Sequence, residues 1–332
     1  ELARLYGYNN IPIGEHSKIT LYPTMKGKER FIENLKNILV ALDFTEVYNN
    51  SLTSISDAEI FEPKDRIVRV ENPISIDMSC LRPSLLTGLL GTVRYNENRN
   101  IFSLKIFEIG TVFIRSEGTP TGVKEADRVA GVITGNRTEK LWNQKVEQFD
   151  FFDLKGSLES LFERIHLDNI EYSAGAMDYL NPCVFIKCGG AKIGIFGSVS
   201  RTILERYDIK RPVYFFDLDI SPLSRYISEE IKYVPVIPYP SVERDLSIIV
   251  DEEVAASSIL KGVYEAGGEY LKHVSFYDVY KGKQIEEGKK SITLHLSFQS
   301  LKRTLTDVEV DSLFEKIVKS LEKSIGSKLR PK

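Results

Sequence analysis

Three prolines fall within ten residues at 231–240, IKYVPVIPYP. A proline ring fixes φ and removes an amide donor, so such a stretch suits neither a helix interior nor a sheet ladder. It favours extended backbone and acts as a spacer. The chain is thereby divided, and each side has to bury its own apolar residues. The patterns on the two sides differ.

Downstream, Asp245–Val250 reads as a strand and Ser257–Tyr270 as a helix that stops at Gly267–Gly268. Val274–Tyr280 and Ser291–Phe298 read as strands joined by KGKQIEEGKK. On the second strand Ile292, Leu294, Leu296 and Phe298 share one face, and Ser291, Thr293, His295, Ser297 and Gln299 share the other. Thr306 and Glu309 form a capping box. The helix behind it carries Leu313, Phe314, Ile317, Val318 and Leu321 as its apolar side, and a short strand is expected near Leu329. The order βαββα is the ferredoxin-like plait.

Upstream, Thr24 is placed to cap a helix with Phe31, Ile32, Leu35, Ile38, Leu39 and Leu42 on one stripe. Strands are expected at Phe44–Tyr48, Ile67–Val70, Phe102–Phe113, Arg128–Thr134, Val184–Ile186, Lys192–Phe196 and Val213–Leu218. Helices are expected at Leu85–Val93 and Phe152–Ile165. Helices mixed with a mostly antiparallel sheet give an α+β domain. The glycines Gly189, Gly190, Gly194 and Gly197 match no phosphate loop and read as hairpin glycines.

Composition limits the function classes. A net charge of −3 over 332 residues argues against wholesale coating of nucleic acid and leaves room for a local basic patch. The three cysteines have no paired spacing, which points to a reducing compartment, the cytoplasm. The four histidines are scattered and none neighbours a cysteine, which argues against structural zinc. No apolar run is long enough to span a membrane. The chain opens on ELARLYGYNNIP, the last turns of a helix, and is expected to be part of a longer protein.

The stretches YPSVERDLSIIVDEEV, SFYDVYKGKQIEEGKKSITLHLSFQSLKRTLTDVEV and ARLYGYNNIP resemble the beta subunit of bacterial phenylalanyl-tRNA synthetase. So do NPISIDMSCLRPSLLTGLLGTVRYNENR and KIFEIGTVF. The resemblance runs in order from residue 1 to about residue 330. It implies a C-terminal part of that subunit, with the editing domain upstream. Residues 1–19 would be the tail of a preceding module and a linker. Residues 20–227 would be a class II synthetase catalytic-like but non-catalytic module, an antiparallel sheet with flanking helices. Residues 228–236 would be a linker, and 237–332 a ferredoxin-fold anticodon-binding domain.

Class II synthetases form an adenylate, and fixed arginines stabilise the charge that develops on the phosphate. Here KERFIENLKNILVALDFTEVYNNSL resembles their first motif, but Asn49–Asn50 replace the expected proline. KIFEIGTVF resembles the second, with Glu108 where arginine is expected. VYFFDLDISPLSR resembles the third without its glycines, with Arg225 remaining. All three departures point to a scaffold without chemistry, so no catalytic residue is assigned. The enzyme would be a phenylalanine–tRNA ligase with its active site in the alpha subunit, and this fragment alone would be inactive. Glu108 then pairs with a cation, with Arg82, Arg94 and Lys105 as candidates, or caps backbone donors.

The resemblance implies further expectations. The first-motif helix would meet the alpha subunit through Phe31, Leu35, Ile38 and Leu42 in an alpha2beta2 assembly, although an ordinary core helix would show the same stripe. ATP and Mg2+ would belong to the full enzyme and none to this fragment. Glu1 matches the last member of an acidic magnesium set and would serve only in the full-length chain. For tRNA(Phe), candidate contacts are Lys281, Lys283, Lys289 and Lys290 on the hairpin, Lys302 and Arg303 on the next loop, and Arg244 between them. Tyr277 and Tyr280 are candidates to stack on anticodon bases. The lysine hairpin also reads as a solvated face, and Arg244 as an ion pair with Asp245. The alternative function is an amino-acid-sensing plait on a degenerate synthetase scaffold.

Overall fold

The computed structural model describes residues 1–12, 27–138, 141–226, 233, 236–282 and 285–330. Thr24, Lys283 and the side chain of Arg225 lie outside the described residues. The chain forms two compact units, Glu1–Glu229 and Glu230–Lys332.

The first unit begins with α1 (Leu2–Tyr6) and α2 (Gly27–Ala41), followed by β1 (Thr45–Glu46), β2 (Leu52–Thr53), α3 (Ile55–Ala58) and β3 (Cys80–Leu81). Next come α4 (Leu86–Glu97), β4 (Leu104–Arg115), β5 (Val123–Thr134) and α5 (Phe151–Arg164). It closes with β6 (Ile170–Met177), β7 (Leu180–Cys188), β8 (Ala191–Val199), α6 (Arg201–Arg206), β9 (Val213–Asp219) and α7 (Ile220–Tyr226). Seven strands make one sheet in the order β1-β4-β5-β9-β8-β7-β6. Only the β1–β4 pair is parallel, Thr45 lying opposite Ile106.

Each sheet face carries its own apolar layer. Residues of α2, α5 and α7 pack on Phe107, Val129, Ile133, Phe196 and Phe216. Residues of α4 and α6 pack on Ile106, Ala130, Val132, Ile195 and Phe215. The capping box of α5 is built by Asp150 and Asp153, and Leu154, Leu158, Leu161 and Phe162 form its buried stripe. Gly189 and Gly190 both have positive φ, 54° and 78°, at the tight β7–β8 turn, where glycine carries no steric penalty. Ile67–Val70, expected as a strand, is irregular apart from one bridge between Arg69 and Cys80. Charged residues and Pro73 hem in that stretch.

The stripe on α2 belongs largely to the unit's own core. Leu35 is 0% exposed, Ile38 8% and Leu39 2%, while Phe31, Ile32 and Leu42 are half-buried against the same cluster. Leu35 and Ile38 thus pack in this unit's own core, as they would in an ordinary core helix. Leu35→Ala should cost about 2–5 kcal/mol, a transfer loss plus a cavity. Val40, on the same helix but 57% exposed, should tolerate alanine within about 0.5 kcal/mol. Urea unfolding of the two variants checks the contrast.

The second unit comprises β10 (Val242–Asp251), α8 (Ala256–Gly267), β11 (Leu271–Tyr280), β12 (Lys289–Phe298), α9 (Asp307–Ile325) and β13 (Lys328–Leu329). Its sheet runs β11-β12-β10-β13. Leu246, Ile248 and Val250 of β10 and Ile292, Leu294, Leu296 and Phe298 of β12 form a core with α8 and α9. The Thr306–Glu309 capping box opens α9, and Gly326 (φ 65°) closes it. Both helices lie on one sheet face, which leaves the other face open.

Candidate functional site

Glu108 is 0% exposed on β4, and Arg82 is 4% exposed. Arg82 Nη1 donates to Glu108 Oε1 at 2.6 Å. Asn49 Nδ2 donates to Oε2 at 2.8 Å, and the Asn49 amide to Oε1 at 3.3 Å. Arg82 Nε donates to the Thr111 carbonyl at 3.2 Å. Thr92 Oγ1 donates to Asn49 Oδ1 at 2.9 Å. Two glycines make room for this network. A Cβ on Gly110 would overlap the Arg82 guanidinium, and one on Gly88 would lie 2.8 Å from the Asn49 Cβ.

Asn49 and Glu108, two positions expected to depart from the class II motifs, thus bond each other. A buried carboxylate with every donor accounted for is held in place, not poised to react. Of the three cations considered, Arg82 is the partner. Lys105 instead donates to the Leu42 carbonyl and lies 4.8 Å over the Phe44 ring. Arg94 is exposed. Around Glu108 this sheet face is filled by Leu85, Leu86, Leu89, Leu90 and Val93. The Arg82 guanidinium on this face is engaged by Glu108 and the Thr111 carbonyl. Glu1 pairs with Arg4 at 2.8 Å, and no group of three or more His, Cys, Asp or Glu among the described residues could hold a metal. The residues present do not fit magnesium, which takes several oxygens and waters.

In the second unit the two basic loops flank β12 at opposite ends, as its connections require. Lys281 pairs with Glu252 and Lys289 with Glu286. Lys290 Nζ donates to the carbonyls of Glu252 at 2.9 Å and Val254 at 2.7 Å. Arg303 pairs with Glu309 and holds that carboxyl well below its usual range. Lys302 is exposed and, among the described residues, makes no ion pair. Arg244 stands opposite Leu296, near the Arg303 end, and donates to Asp307 at 2.8 Å and Asp311 at 3.2 Å on α9. It braces the helix side and does not bridge the two loops. Nor does it pair with Asp245, because adjacent strand residues point to opposite faces. Asp245 bonds His295 Nδ1 at 2.7 Å instead, Glu243 lies 3.2 Å from Nε2, and the imidazole pKa is raised.

The open face holds a second arrangement. Tyr280 lies opposite Ser291 and Asp278 opposite Thr293. Arg330, just after β13, has its guanidinium carbon 5.4 Å from the Tyr280 ring centroid, and Nη1 donates to Ser291 Oγ at 3.4 Å. Its amide bonds the Ser247 carbonyl at 2.9 Å. Ser247 and Thr293 hydroxyls meet at 2.9 Å. A Cβ on Gly282 would overlap the Tyr280 hydroxyl, so the ring also rests on that turn. Tyr277 sits at a β-bulge, 79% exposed. An aromatic ring backed by a guanidinium, with hydroxyls and the Asp278 carboxylate beside it, offers a flat base a stacking surface and hydrogen-bond partners. Of this arrangement the sequence offers Tyr280 as a candidate, and Arg330, Asp278 and Ser291 join it only through strand pairing. The short strand expected near Leu329 was the available signal, since pairing it at the sheet edge brings residue 330 onto β10.

Residues 17–220 match the family described as "Phenylalanyl tRNA synthetase beta chain CLM domain", and residues 238–330 match "Ferredoxin-fold anticodon binding domain". A phenylalanine–tRNA ligase beta subunit of Syntrophus aciditrophicus is 33% identical over 343 residues, covering 99% of this chain and 42% of the relative. That of Halalkalibacterium halodurans is 35% identical over 337 residues with the same coverage, 99% and 42%. The chain thus spans 42% of the length of these relatives. Among solved structures, pyrrolysyl-tRNA synthetase from Desulfitobacterium hafniense aligns with a TM-score of 0.47 at 15% identity, over 62% of this chain and 75% of that one. The first family match alone covers more than half of the 332 residues, and the chain belongs to the phenylalanyl-tRNA synthetase beta-chain family.

Proposed function

We propose that this chain is the part of a phenylalanine–tRNA ligase beta subunit that binds the anticodon region of tRNA(Phe) and supports a catalytic alpha subunit. The observation that carries the reading is the Tyr280 ring backed by Arg330 on the open face of the plait, beside the lysine hairpin. Bases supply the stacking partner, and phosphates the partner for Lys281, Lys283 and Lys289, while Lys290 holds the turn after β10. Lys302 and Arg303 extend the basic surface past the far end of β12, and Tyr277 offers a second ring. The first unit is a scaffold: the Glu108–Arg82–Asn49 network occupies the place of phosphate-binding chemistry. In the assembly, alpha2beta2, the alpha subunit supplies the ATP and Mg2+ chemistry, and this chain alone is inactive. The rim of α2, Phe31 and Leu42, is the apolar edge left for that partner. The setting is the cytoplasm, and among the described residues no helix is long and apolar enough to cross a membrane.

The test is tRNA(Phe) binding by the chain at several salt concentrations. Changing Lys281, Lys283 and Lys289 to alanine should weaken binding and lower the log–log salt slope by about 0.7–0.9 per lost phosphate contact. Lys290 is left in place because its ammonium ties down the turn after β10. Cognate and non-cognate tRNA should lose equally, because phosphates carry no sequence. An unchanged slope would make the hairpin a solvated face. Binding of free phenylalanine, with no RNA binding, would favour the sensing alternative.

A further inference from the structure

We infer that Glu252 and Glu286 set the strength of RNA binding by occupying the hairpin cations in the free protein, standing where phosphate oxygens sit in the complex. This rests on the RNA-binding reading above. Lys281 carries Glu252 on its ammonium, and Lys289 carries Glu286. The placement is fixed from both sides. Glu252 lies in the turn after β10, its amide bonds the Gly288 carbonyl at 2.8 Å, and Lys290 Nζ grips its carbonyl at 2.9 Å. The turn and the hairpin base are thereby zipped together, and the Glu252 carboxylate is delivered to Lys281. Glu286 comes from the hairpin itself, within the field of both Lys289 and Lys328. Both carboxyl pKa values are held below the usual range, first by the hydrogen bonds from Lys281 and Lys289.

Exposed ion pairs are weak, so these carboxylates do not lock the hairpin shut. They reduce what an arriving phosphate gains, since each contact replaces an existing one. Binding through phosphates alone stays weak, and RNA that also stacks on Tyr280 is retained. Because the phosphate term carries no sequence, the carboxylates lower the floor of binding without changing the ratio between RNAs.

The experiment compares Glu252→Gln/Glu286→Gln with Glu253→Gln/Glu287→Gln in the whole chain. Both doubles change net charge equally, but the second pair comes from neighbouring carboxylates with no ion pair to the hairpin among the described residues. The probes are tRNA(Phe) and the same tRNA with a scrambled anticodon loop, titrated at several salt concentrations. Expected for the first double is tighter binding of both RNAs, about two- to fivefold per carboxylate at low salt. Its salt slope should steepen by about 0.7–0.9 for each unmasked lysine. Adding Lys281→Ala should remove the Glu252 share of that gain. Equal gains from both doubles would mean that only net charge matters, and no gain from the first would mean that the carboxylates mask nothing. Either result overturns the inference. Absence of RNA binding by the wild-type chain would instead remove the reading beneath it, and the inference with it.

Discussion

Arg82→Met is expected to destabilise the first unit by about 3–5 kcal/mol, because it strands a buried carboxylate. Glu108 is 0% exposed, and after the change Asn49 alone among the described residues would still donate to it. Adding Glu108→Leu should restore most of the loss, since apolar side chains of similar volume often replace a buried pair without net cost. Gly110→Ala should act on the same network by pushing the guanidinium off its seat. Urea unfolding, read on the transition of the first unit, measures all three. A cost for Arg82→Met no larger than that of a surface substitution would mean that the buried pair does not hold this sheet face together.

Tyr280→Ala is expected to weaken binding of an anticodon stem-loop by about 1–3 kcal/mol, the usual worth of stacking one base on an aromatic ring. The salt slope should stay close to wild type, because no phosphate contact is lost. Tyr280→Phe should keep most of the affinity. Arg330→Met should lose part of it, since the guanidinium supports the ring and bonds Ser291. Gly282→Val should resemble Tyr280→Ala, because the added side chain takes the space of the tyrosine hydroxyl. Fluorescence-anisotropy titrations separate these outcomes from the lysine effect, which changes the slope.

The plait was readable because its signals are local. Alternation along Ser291–Phe298 and the Thr306–Glu309 box each lie within one element, and both are present in the fold. β6 was not foreseen: its SAGA run at 173–176 has no apolar alternation, and a half-exposed edge strand needs little. The sites depend on pairings distant in sequence. Arg330 reaches Tyr280 only because β13 joins β10, and Asn49 reaches Glu108 only because β1 runs beside β4. Leu35 and Ile38 illustrate another limit, since a broad apolar stripe looks the same whether it faces the chain's own sheet or a partner. Strand parity, which is legible in the sequence, already sets Arg244 and Asp245 on opposite faces, so the two do not pair.

Amide hydrogen exchange of the whole chain, with and without a stem-loop bearing the tRNA(Phe) anticodon, tests the central claim most directly. The account predicts slowed exchange along 278–282, 285–290 and 328–330, where Tyr280, the hairpin and Arg330 meet. Exchange in α8 and α9 should be unchanged, because they cover the opposite face. Protection confined to those helices, or no protection anywhere in the second unit at saturating RNA, would contradict it.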